Sequence, residues 1–359
     1  MSRVNRSERL AARARELGAT AAIATDPADL RWLTGFTGSN GLAISSESAS
    51  LFVSDFRYTE QAAAEVDPAF EVVIADGDLF KEAAGRLGDE GILAFDAGQV
   101  TVSRAAQIES DLPPGWSAVA ARNVVRPLRF IKDPAEIETI REAARIADEA
   151  FSIVVGQGLV GRTEADVAWG LERAIRELGG EGVSFPPIVA SGAHGALPHA
   201  APRDVKIPAG VLVVIDWGAI HSGYCSDCTR TVATGTVGGR EREVYEIVLA
   251  AQRAGCGALR PGPTGSEIDA LARQVIIDSG FGEMFGHGLG HGVGLEIHEG
   301  PNLGRRDSET QLEAGMVVTV EPGIYLPGEF GVRIEDLCVL DADGAYPLTA
   351  LPLELTEVD

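Results

Sequence analysis

The sequence predicts a two-domain α/β protein whose second domain consists of two similar halves. Short apolar segments alternate with helical segments in residues 1–125, a basic connector covers residues 126–133, and residues 134–359 contain a diverged internal repeat. The 359-residue chain is long enough for two hydrophobic cores. Its content of 45% hydrophobic and 23% charged residues is typical of globular domains.

The first domain is predicted to contain an initial helix and several short strands. Each strand-like segment is apolar and is bounded by polar or glycine-containing turns. The predicted helix is Ser7–Leu17, and the predicted strands are Ala21–Thr25, Gly41–Ser45, Leu51–Ser54, Glu71–Ala75 and Ile92–Asp96. This pattern is typical of an α/β domain.

The connector, Arg126–Lys132, is predicted to be extended, and a helix begins directly after it. Asp133 can cap this helix, Pro134 suits its first position, and Glu136 completes an arrangement like a capping box. An apolar face follows at spacings of three and four residues, formed by Ile137, Ile140, Ala144, Ala147 and Phe151. The domain boundary is therefore placed in the connector.

The second domain contains two segments of similar organisation. Thr163–Asp166 opens a helix that runs to about Leu178, and Ser266–Asp269 opens another. Each helix is followed by a histidine-bearing stretch and then by a strand–turn–strand ribbon with an acid on each arm. The acids are Asp216 and Asp227 in the first ribbon, and Glu321 and Glu335 in the second. A duplication would gather these acids around a pseudo-two-fold axis, whereas chance similarity of two α/β halves is the alternative.

The acids of the first ribbon are expected to face each other. Asp216 and Glu321 each directly follow an apolar, strand-like segment, where a charge has no solvation reason to lie. If the first ribbon turns at His221-Ser222, Asp216 lies across from Asp227, with the two Cβ atoms roughly 5 Å apart. Carboxylates this close repel each other, and divalent cations between them remove the repulsion.

The second ribbon follows the same logic. Alternation along its returning arm places Arg333 and Glu335 on one face and Val332 and Ile334 on the other. A single acid at a strand end is usually solvated. Four acids in two matching ribbons instead favour one shared site.

Histidine placement supports a metal site. All six histidines lie between His194 and His298, and His291 lies in a glycine-rich stretch that permits close backbone approach to a ligand. One imidazole with four carboxylates suits a pair of hard divalent cations, as in a two-metal hydrolase. Mn²⁺ fits this oxygen-rich set best, with Co²⁺, Fe²⁺ and Zn²⁺ as alternatives. A phosphate-binding loop is the rival interpretation, but the P-loop lysine and serine or threonine are absent.

Charge and hydropathy exclude several partners. The formal net charge of −23 argues against nucleic acid or an anionic membrane. The sequence contains no apolar run of about 18 residues, so a transmembrane helix is not expected. The N-terminal segment carries arginines, but also Glu8 and Glu16, and it has no apolar core, so a first amphipathic helix is expected instead of a targeting peptide.

Cysteine content predicts a cytoplasmic protein with reduced thiols. Four cysteines in a chain of this length do not suggest a disulfide scaffold. Cys225 and Cys228 form a CxxC pattern in a strand-like segment, where residues three apart point to opposite faces. A redox pair is therefore not expected.

The motifs of the second domain together resemble those of the proline-specific metallopeptidases, aminopeptidase P and prolidase. The motifs lie in Asp216–Thr231, His287–Glu299, Val320–Tyr325 and Val332–Asp336. The resemblance implies a "pita-bread" catalytic fold (α+β, pseudo-two-fold) for the second domain. The first domain resembles the creatinase-type N-terminal domain of this family through Arg31–Gly38 and Asp55–Tyr58.

The resemblance also implies roles for individual residues. The metal ligands would be Asp216, Asp227, His291, Glu321 and Glu335, with Asp227 and Glu335 contacting both ions. Substrate contact or support of the site would fall to His199, His287, His298, Tyr325 and Arg333. Glu321 is the expected proton shuttle, and His298, assisted by His199, is expected to hydrogen-bond the oxyanion or the scissile amide. His194 and His221 match no such position and are expected at the surface.

The expected activity is removal of the N-terminal residue from peptides with proline in second position, with Xaa-Pro dipeptidase as the alternative. The Xaa–Pro bond is a tertiary amide without an N–H, so proteases that bind substrates as a strand are poorly suited to it. Two further interpretations remain: creatine amidinohydrolase, an enzyme of the same fold without metal, and, from another class, a metal-free peptide- or histone-binding module. Methionine aminopeptidase ranks lower because it usually lacks such a first domain. A homodimer is expected from the resemblance alone.

Overall fold

The computed structural model describes residues 6–359, which divide into two compact units, one ending at Arg129 and the other beginning at Phe130. The first unit is an α/β domain. Its helices are α1 (Arg6–Glu16), α2 (Pro27–Thr34), α3 (Thr59–Glu65), α4 (Leu79–Ala84) and α5 (Val102–Asp111). Its strands are β1 (Ala21–Ala24), β2 (Leu42–Ser46), β3 (Ser50–Asp55), β4 (Glu71–Ala75), β5 (Gly91–Asp96) and β6 (Trp116–Ala121).

These strands form one mixed sheet in the order β4-β3-β2-β1-β5-β6. The antiparallel pairs are β1–β2 and β2–β3, and the other neighbours are parallel. The predicted first helix and five strands are confirmed to within one or two residues. Helix α2 was missed, although Asp26 caps it, Pro27 opens it and the left-handed Gly35 ends it.

The connector was expected to be extended, but it is not. A short 3-10 helix forms at Arg126–Arg129. Arg129 is buried and its Nη1 lies 2.6 Å from Asp29 Oδ1 within the first unit, whereas Lys132 Nζ lies 3.4 Å from Glu299 Oε2 within the second. Arg129 and Lys132 of this segment therefore bind buried acids, which the side chains of a solvated linker would not do.

The second unit contains the two predicted halves. Its helices are α6 (Pro134–Val155), α7 (Glu164–Glu177), α8 (Gly239–Ala258) and α9 (Gly265–Asp278). The strands of its first half are β7 (Gly182–Val183), β8 (Ile188–Ser191), β9 (Leu212–Trp217), β10 (Ala219–His221), β11 (Tyr224–Cys225) and β12 (Cys228–Thr234). The later strands are β13 (Gly290–Gly292), β14 (Glu299–Leu303), β15 (Val317–Val320), β16 (Gly323–Leu326), β17 (Phe330–Arg333), β18 (Asp336–Leu340), β19 (Ala345–Pro347) and β20 (Glu357–Val358).

Each half has its own main sheet. The first is ordered β20-β12-β9-β8 and the second β14-β13-β15-β18-β19, with smaller sheets β11-β10-β7 and β16-β17. The first core joins α6 and α7 to this sheet and includes Phe151 stacked on Trp217 with 4.3 Å between ring centroids. The second core joins α8 and α9 to β15, β17 and β18. Two pairs of helices thus cover two sheets.

The starts of the helices follow the expected capping chemistry, with one correction. Asp133 and Glu136 form a capping box on α6, and Thr163 and Asp166 form one on α7. The prediction that Ser266 opens α9 is wrong: the box joins Thr264 to Glu267. The threonine two residues earlier has the extended backbone that a cap requires, whereas Ser266 lies inside the helix.

None of the helices in residues 6–359 combines the length and the apolar character that crossing a membrane requires. Cys225 and Cys228 lie in different hydrophobic cores, which agrees with the expectation that they point to opposite faces. All four cysteines are free thiols.

Replacing the true cap of α9 is expected to lower stability more than replacing the predicted one. Thr264→Ala removes the hydroxyl that accepts from the Glu267 N–H, at a cost of about 1 kcal/mol. Ser266→Ala is the comparison: it removes the 3.1 Å contact of its hydroxyl with Thr264 Oγ1 but keeps the cap, so its expected cost is below about 0.5 kcal/mol. Urea unfolding followed by circular dichroism measures both, and equal losses would contradict the cap assignment.

Candidate metal centre

The first ribbon delivers its two acids in a register that differs from the expected one. Asp216, near the end of β9, lies opposite Thr229 of β12, so the prediction that it faces Asp227 directly is wrong. The reason is the turn, which lies at Ser222-Gly223, one residue later than expected. Both of these residues have positive φ, 45° and 75°, as a two-residue hairpin turn requires. Moving the centre of the turn by one residue shifts the pairing by two.

Three of the predicted acids nonetheless converge. Asp216, Asp227 and Glu335 each offer a carboxylate oxygen, and these oxygens lie within 4.8 Å of one another. Alternation places Asp216 on the face of β9 opposite to Ile215, which lies in the first core. In the second ribbon, Val332 and Ile334 are in the second core, so the predicted placement of Arg333 and Glu335 on the other face is confirmed.

The imidazole of His291, on β13, lies beside these acids. Its Nε2 is 3.6 Å from Asp227 Oδ2 and 3.4 Å from Glu321 Oε1. Its Nδ1 is 3.1 Å from the carbonyl oxygen of Gly292, which can only accept, so Nδ1 carries the proton. The unprotonated Nε2 therefore points toward the carboxylates, as a metal-ligating histidine does. Burial lowers the pKa of His291 to about 4, which keeps the ring neutral.

Two threonines that support the acids were missed from the sequence. Thr229 Oγ1 donates to Glu335 Oε2 at 2.7 Å, and Thr319 Oγ1 donates to Glu321 Oε1 at 3.2 Å. Each threonine lies two residues from an acid, after Asp227 and before Glu321. Period-two alternation places such residues on one face of a strand, so this spacing could have identified both.

A hydrogen-bonded chain leads from Asp216 to His287. Arg333 Nη2 donates to Asp216 Oδ2 at 2.6 Å, and Arg333 Nη1 donates to the Tyr325 hydroxyl at 2.8 Å. His287 Nε2 lies 2.9 Å from the same hydroxyl, and its Nδ1 lies 2.7 Å from the Gly288 carbonyl oxygen. His287 therefore carries its proton on Nδ1 and accepts from Tyr325. Both of its ring nitrogens are engaged.

The charges of the cluster are poorly compensated by protein groups. Burial, together with the charges of Glu335 and Asp216, raises the pKa of Asp227 well above its usual range. Burial and the charges of Glu321 and Asp216 do the same for Glu335. Among the described residues, Asp216 Oδ1 and Glu335 Oε1 are buried oxygens without a hydrogen-bond partner. Unpartnered carboxylate oxygens facing one centre fit divalent cations, which supply the missing positive charge.

A cleft of about 620 Å³ opens onto these acids. His199 and His298 are exposed on its lining, and the rings of His291 and His298 are 4.4 Å apart between centroids. One part of the wall is apolar and is formed by Phe185, Pro187, Ile188, Ile297 and Leu303. Nine of the ten predicted site residues therefore line one cleft. The tenth, Tyr325, hydrogen-bonds to Arg333 and His287, which line it.

Of the two histidines expected at the surface, His194 is misassigned. Its side chain is only 9% exposed, and Nδ1 lies 3.0 Å from Glu164 Oε2. The partner is far away in sequence, so no local pattern indicates the contact. His221 is partly exposed at the tip of the first ribbon.

Fold and acid cluster together define a metallopeptidase, and comparison with known proteins identifies the family. Residues 138–342 match Metallopeptidase family M24, and residues 6–131 match the Creatinase/Prolidase N-terminal domain. The chain therefore belongs to metallopeptidase family M24. This places a pita-bread catalytic domain after a creatinase-type N-terminal domain, as the sequence motifs suggested.

Three relatives illustrate the similarity. The chain is 42% identical over 342 residues to the uncharacterized peptidase YqhT of Bacillus subtilis (strain 168), covering 95% of this chain and 96% of the relative. The structure named Xaa-Pro dipeptidase from Bacillus anthracis matches with a TM-score of 0.96 at 39% identity, covering 99% and 100% of the two chains. The structure named X-Pro aminopeptidase from Thermotoga maritima MSB8 matches with a TM-score of 0.89 at 39% identity, covering 98% and 100%.

Ionisation of Glu321 is expected to destabilise the metal-free protein as pH rises. Burial and the charge of Asp216 raise the pKa of Glu321 from 4.5 to about 7. A carboxyl group with a raised folded-state pKa stabilises the fold fully below its unfolded pKa and loses this contribution as pH rises through the folded pKa. Between pH 4.5 and pH 7, the melting temperature of chelator-treated wild-type protein should therefore fall relative to that of Glu321→Gln. The lowered pKa of His291 acts in the opposite direction, but it does so in both proteins.

Glu321→Gln provides the control for this pH effect, because an amide does not titrate. Its melting temperature should lack the contribution of Glu321 over the same window, at constant ionic strength. The same pH dependence of the melting temperature in both metal-free proteins would contradict the raised pKa of Glu321.

Proposed function

We propose that this protein is a dinuclear metallopeptidase that hydrolyses Xaa-Pro dipeptides. The observation that carries the proposal is the convergence of Asp216, Asp227 and Glu335 within 4.8 Å, with unpartnered oxygens, beside the unprotonated Nε2 of His291. Family membership supports peptide hydrolysis. The names of the two similar solved structures, dipeptidase and aminopeptidase, support proline as the residue after the cleaved bond.

The proposed metal ligands are the five residues that the sequence indicated: Asp216, Asp227, His291, Glu321 and Glu335. By the family resemblance alone, Asp227 and Glu335 would contact both ions; the cluster of oxygens itself contains Asp216 as well. Four carboxylates and one imidazole favour Mn²⁺, with Co²⁺, Fe²⁺ or Zn²⁺ as alternatives. When bound, such a pair lowers the pKa of a coordinated water and polarises the peptide carbonyl.

The proposed proton carrier is Glu321. Burial raises the pKa of its carboxyl group in the metal-free protein, and a positioned carboxyl group is a common proton carrier. Its carboxylate accepts from Thr319, which holds it toward the centre of the cleft. It would hold the proton released by the attacking water and pass it to the departing proline nitrogen.

The exposed histidines are proposed to bind the substrate amide. His298 and His199 lie on the cleft lining, where an N–H from either ring can donate to the developing oxyanion or to the scissile amide. His287 is proposed to act indirectly, since both of its nitrogens are engaged. It orients Tyr325 and Arg333, and Arg333 fixes Asp216.

The apolar wall of the cleft suits a proline ring. Side chains such as Phe185, Ile297 and Leu303 offer surface without hydrogen-bonding groups. A proline residue presents no N–H, so such a wall leaves none of its donors unsatisfied.

A dipeptidase activity is favoured over the aminopeptidase activity that the sequence first suggested. The two similar solved structures have the same identity to this chain, 39%, but the one named dipeptidase has the higher TM-score, 0.96 against 0.89. The aminopeptidase remains the second candidate because of the other structure. We further propose a cytoplasmic location, which the free thiols fit. A homodimer is proposed on family resemblance alone.

Metal binding is expected to depend on the bridging acid. Wild-type protein dialysed against Mn²⁺ should retain two ions per chain by elemental mass spectrometry. Glu335→Gln replaces one charged oxygen with an amide nitrogen, and should weaken binding by at least about 100-fold. The exposed Glu313→Gln is the matched control and should bind as the wild type does. Two ions retained at wild-type affinity by Glu335→Gln would refute its role.

Substrate length distinguishes the two candidate activities. A dipeptidase should hydrolyse Xaa-Pro with a kcat/KM at least about 100-fold above that for Xaa-Pro-Yaa-Yaa, because a site built around a terminal carboxylate leaves buried polar groups unpaired with the longer peptide. An Xaa-Ala dipeptide controls for proline preference, and a chelator should abolish all turnover. Faster cleavage of the tetrapeptide would support the aminopeptidase. No cleavage of either peptide by metal-loaded protein would refute the proposal.

A further inference from the structure

A buried acid outside the cleft has a set of contacts that the proposed chemistry does not use. Glu164 is the first residue of α7, and it is fully buried. Its Oε1 accepts from the backbone N and the Oγ of Ser191 at 2.9 and 2.8 Å. Its Oε2 accepts from the backbone N and the Nε of Arg203 at 3.1 and 2.9 Å, and from His194 Nδ1 at 3.0 Å. One carboxylate therefore binds residues at both ends of segment 191–203.

Segment 191–203 forms one wall of the cleft. It carries His199, and its Pro198, Ala200 and Pro202 also line the cavity. The carbonyl oxygen of Pro198 accepts from Arg333 Nη1 at 3.1 Å, which ties the segment to the residue that binds Asp216. A displacement of this segment would therefore move His199 relative to the acids.

The Glu164 carboxylate is ionised and binds Arg203 as an ion pair. Burial opposes the charge of Glu164, but hydrogen bonds from Arg203 and Ser191 outweigh it and hold its pKa at about 2. Arg203 binds both carboxylate oxygens, with Nη2 2.9 Å from Oε1, and such bidentate pairs fix geometry as well as distance. The first turn of a helix is also a favourable place for a negative charge. Joining both ends of a loop to one group restricts the conformations available between them.

The second half contains a similar anchor. Asp269, in the early part of α9, pairs with Arg273 at 2.6 Å and accepts from the backbone N of Leu289 at 3.0 Å. Arg273 in turn donates to the carbonyl oxygens of Phe285 and His287 at 2.9 and 2.7 Å. In both halves, an acid on the second helix thus holds the segment that bears a histidine of the cleft.

We propose that Glu164 is a positioning residue that sets the place of His199 in the cleft. The inference rests on the proposed function of His199 as a group that contacts the substrate. Glu164 itself touches neither the substrate nor the metal ligands. It acts by holding segment 191–203 through Ser191, His194 and Arg203.

The test uses a substitution that keeps the shape of the side chain and removes its charge. Glu164→Gln should lower kcat/KM for Xaa-Pro by about 10- to 100-fold, because a shift of about 1 Å in a catalytic group has an effect of this size. Mn²⁺ binding should stay at two ions per chain, because segment 191–203 contains none of the proposed ligands. The matched control is Glu172→Gln on the same helix, whose side chain is 31% exposed and pairs with Arg176; it should be active as wild type.

A double-mutant cycle distinguishes positioning from a general loss of stability. In a His199→Ala background, Glu164→Gln should lower kcat/KM by less than about 3-fold, since its effect passes through His199. Equal losses in both backgrounds would overturn the proposal. Arg203→Gln serves if Glu164→Gln does not fold: its side chain is 45% exposed, and it should show the same coupling to His199.

Amide hydrogen exchange makes the test independent of turnover. Exchange in residues 192–202 should be faster in Glu164→Gln than in wild type or in Glu172→Gln. Unchanged exchange there would overturn the inference even in an active enzyme. If the wild-type protein cleaves no Xaa-Pro peptide, the proposed function is refuted. Faster exchange in Glu164→Gln would then still support the anchoring of segment 191–203 by Glu164.

Discussion

The repulsion among buried carboxylates is the constraint on which the rest of the second unit depends. Carboxylate oxygens of the largely buried Asp216, Asp227 and Glu335 lie within 4.8 Å of one another, where each charge disfavours the next. Protein groups offset only part of this. Arg333 binds Asp216, and Thr229 binds Glu335, yet one oxygen of each acid has no protein partner. The fold holds these acids in place and leaves room for cations to complete them.

Two halves of similar architecture position the residues of the site. Each supplies one β-ribbon with two acids, one pair of helices and one histidine-bearing segment. The first core fixes β9 and β12 from one side, and the second core fixes β15, β17 and β18 from the other. Because both ribbons pack into these cores, Asp216 is held within a strand and the other three acids directly beside strand ends. The histidine-bearing segments, which are less regular, are held by ionic anchors on α7 and α9.

Features with a local cause were predictable from the sequence, and features with a distant cause were not. The capping box at Asp133 and the alternation around Arg333 depend on neighbours in the chain, and both were identified. The ribbon register was missed by two residues because Ser222 adopts a positive φ that serine rarely takes. The burial of His194 depends on Glu164, thirty positions earlier, and no local pattern contains that information. Thr229 and Thr319 could have been identified by the same alternation, because each lies two residues from an acid.

The tip of the first ribbon limits the insertions that this chain can accept. Ser222 and Gly223 do not line the cleft, but they set the register of the ribbon that carries two of its acids. Yet one inserted residue there that was absorbed by sliding of the strand would send Asp227 to the face now occupied by core residues. The length of this hairpin is therefore constrained by the position of an acid in the cleft, whereas the two turn residues are constrained by their positive φ angles.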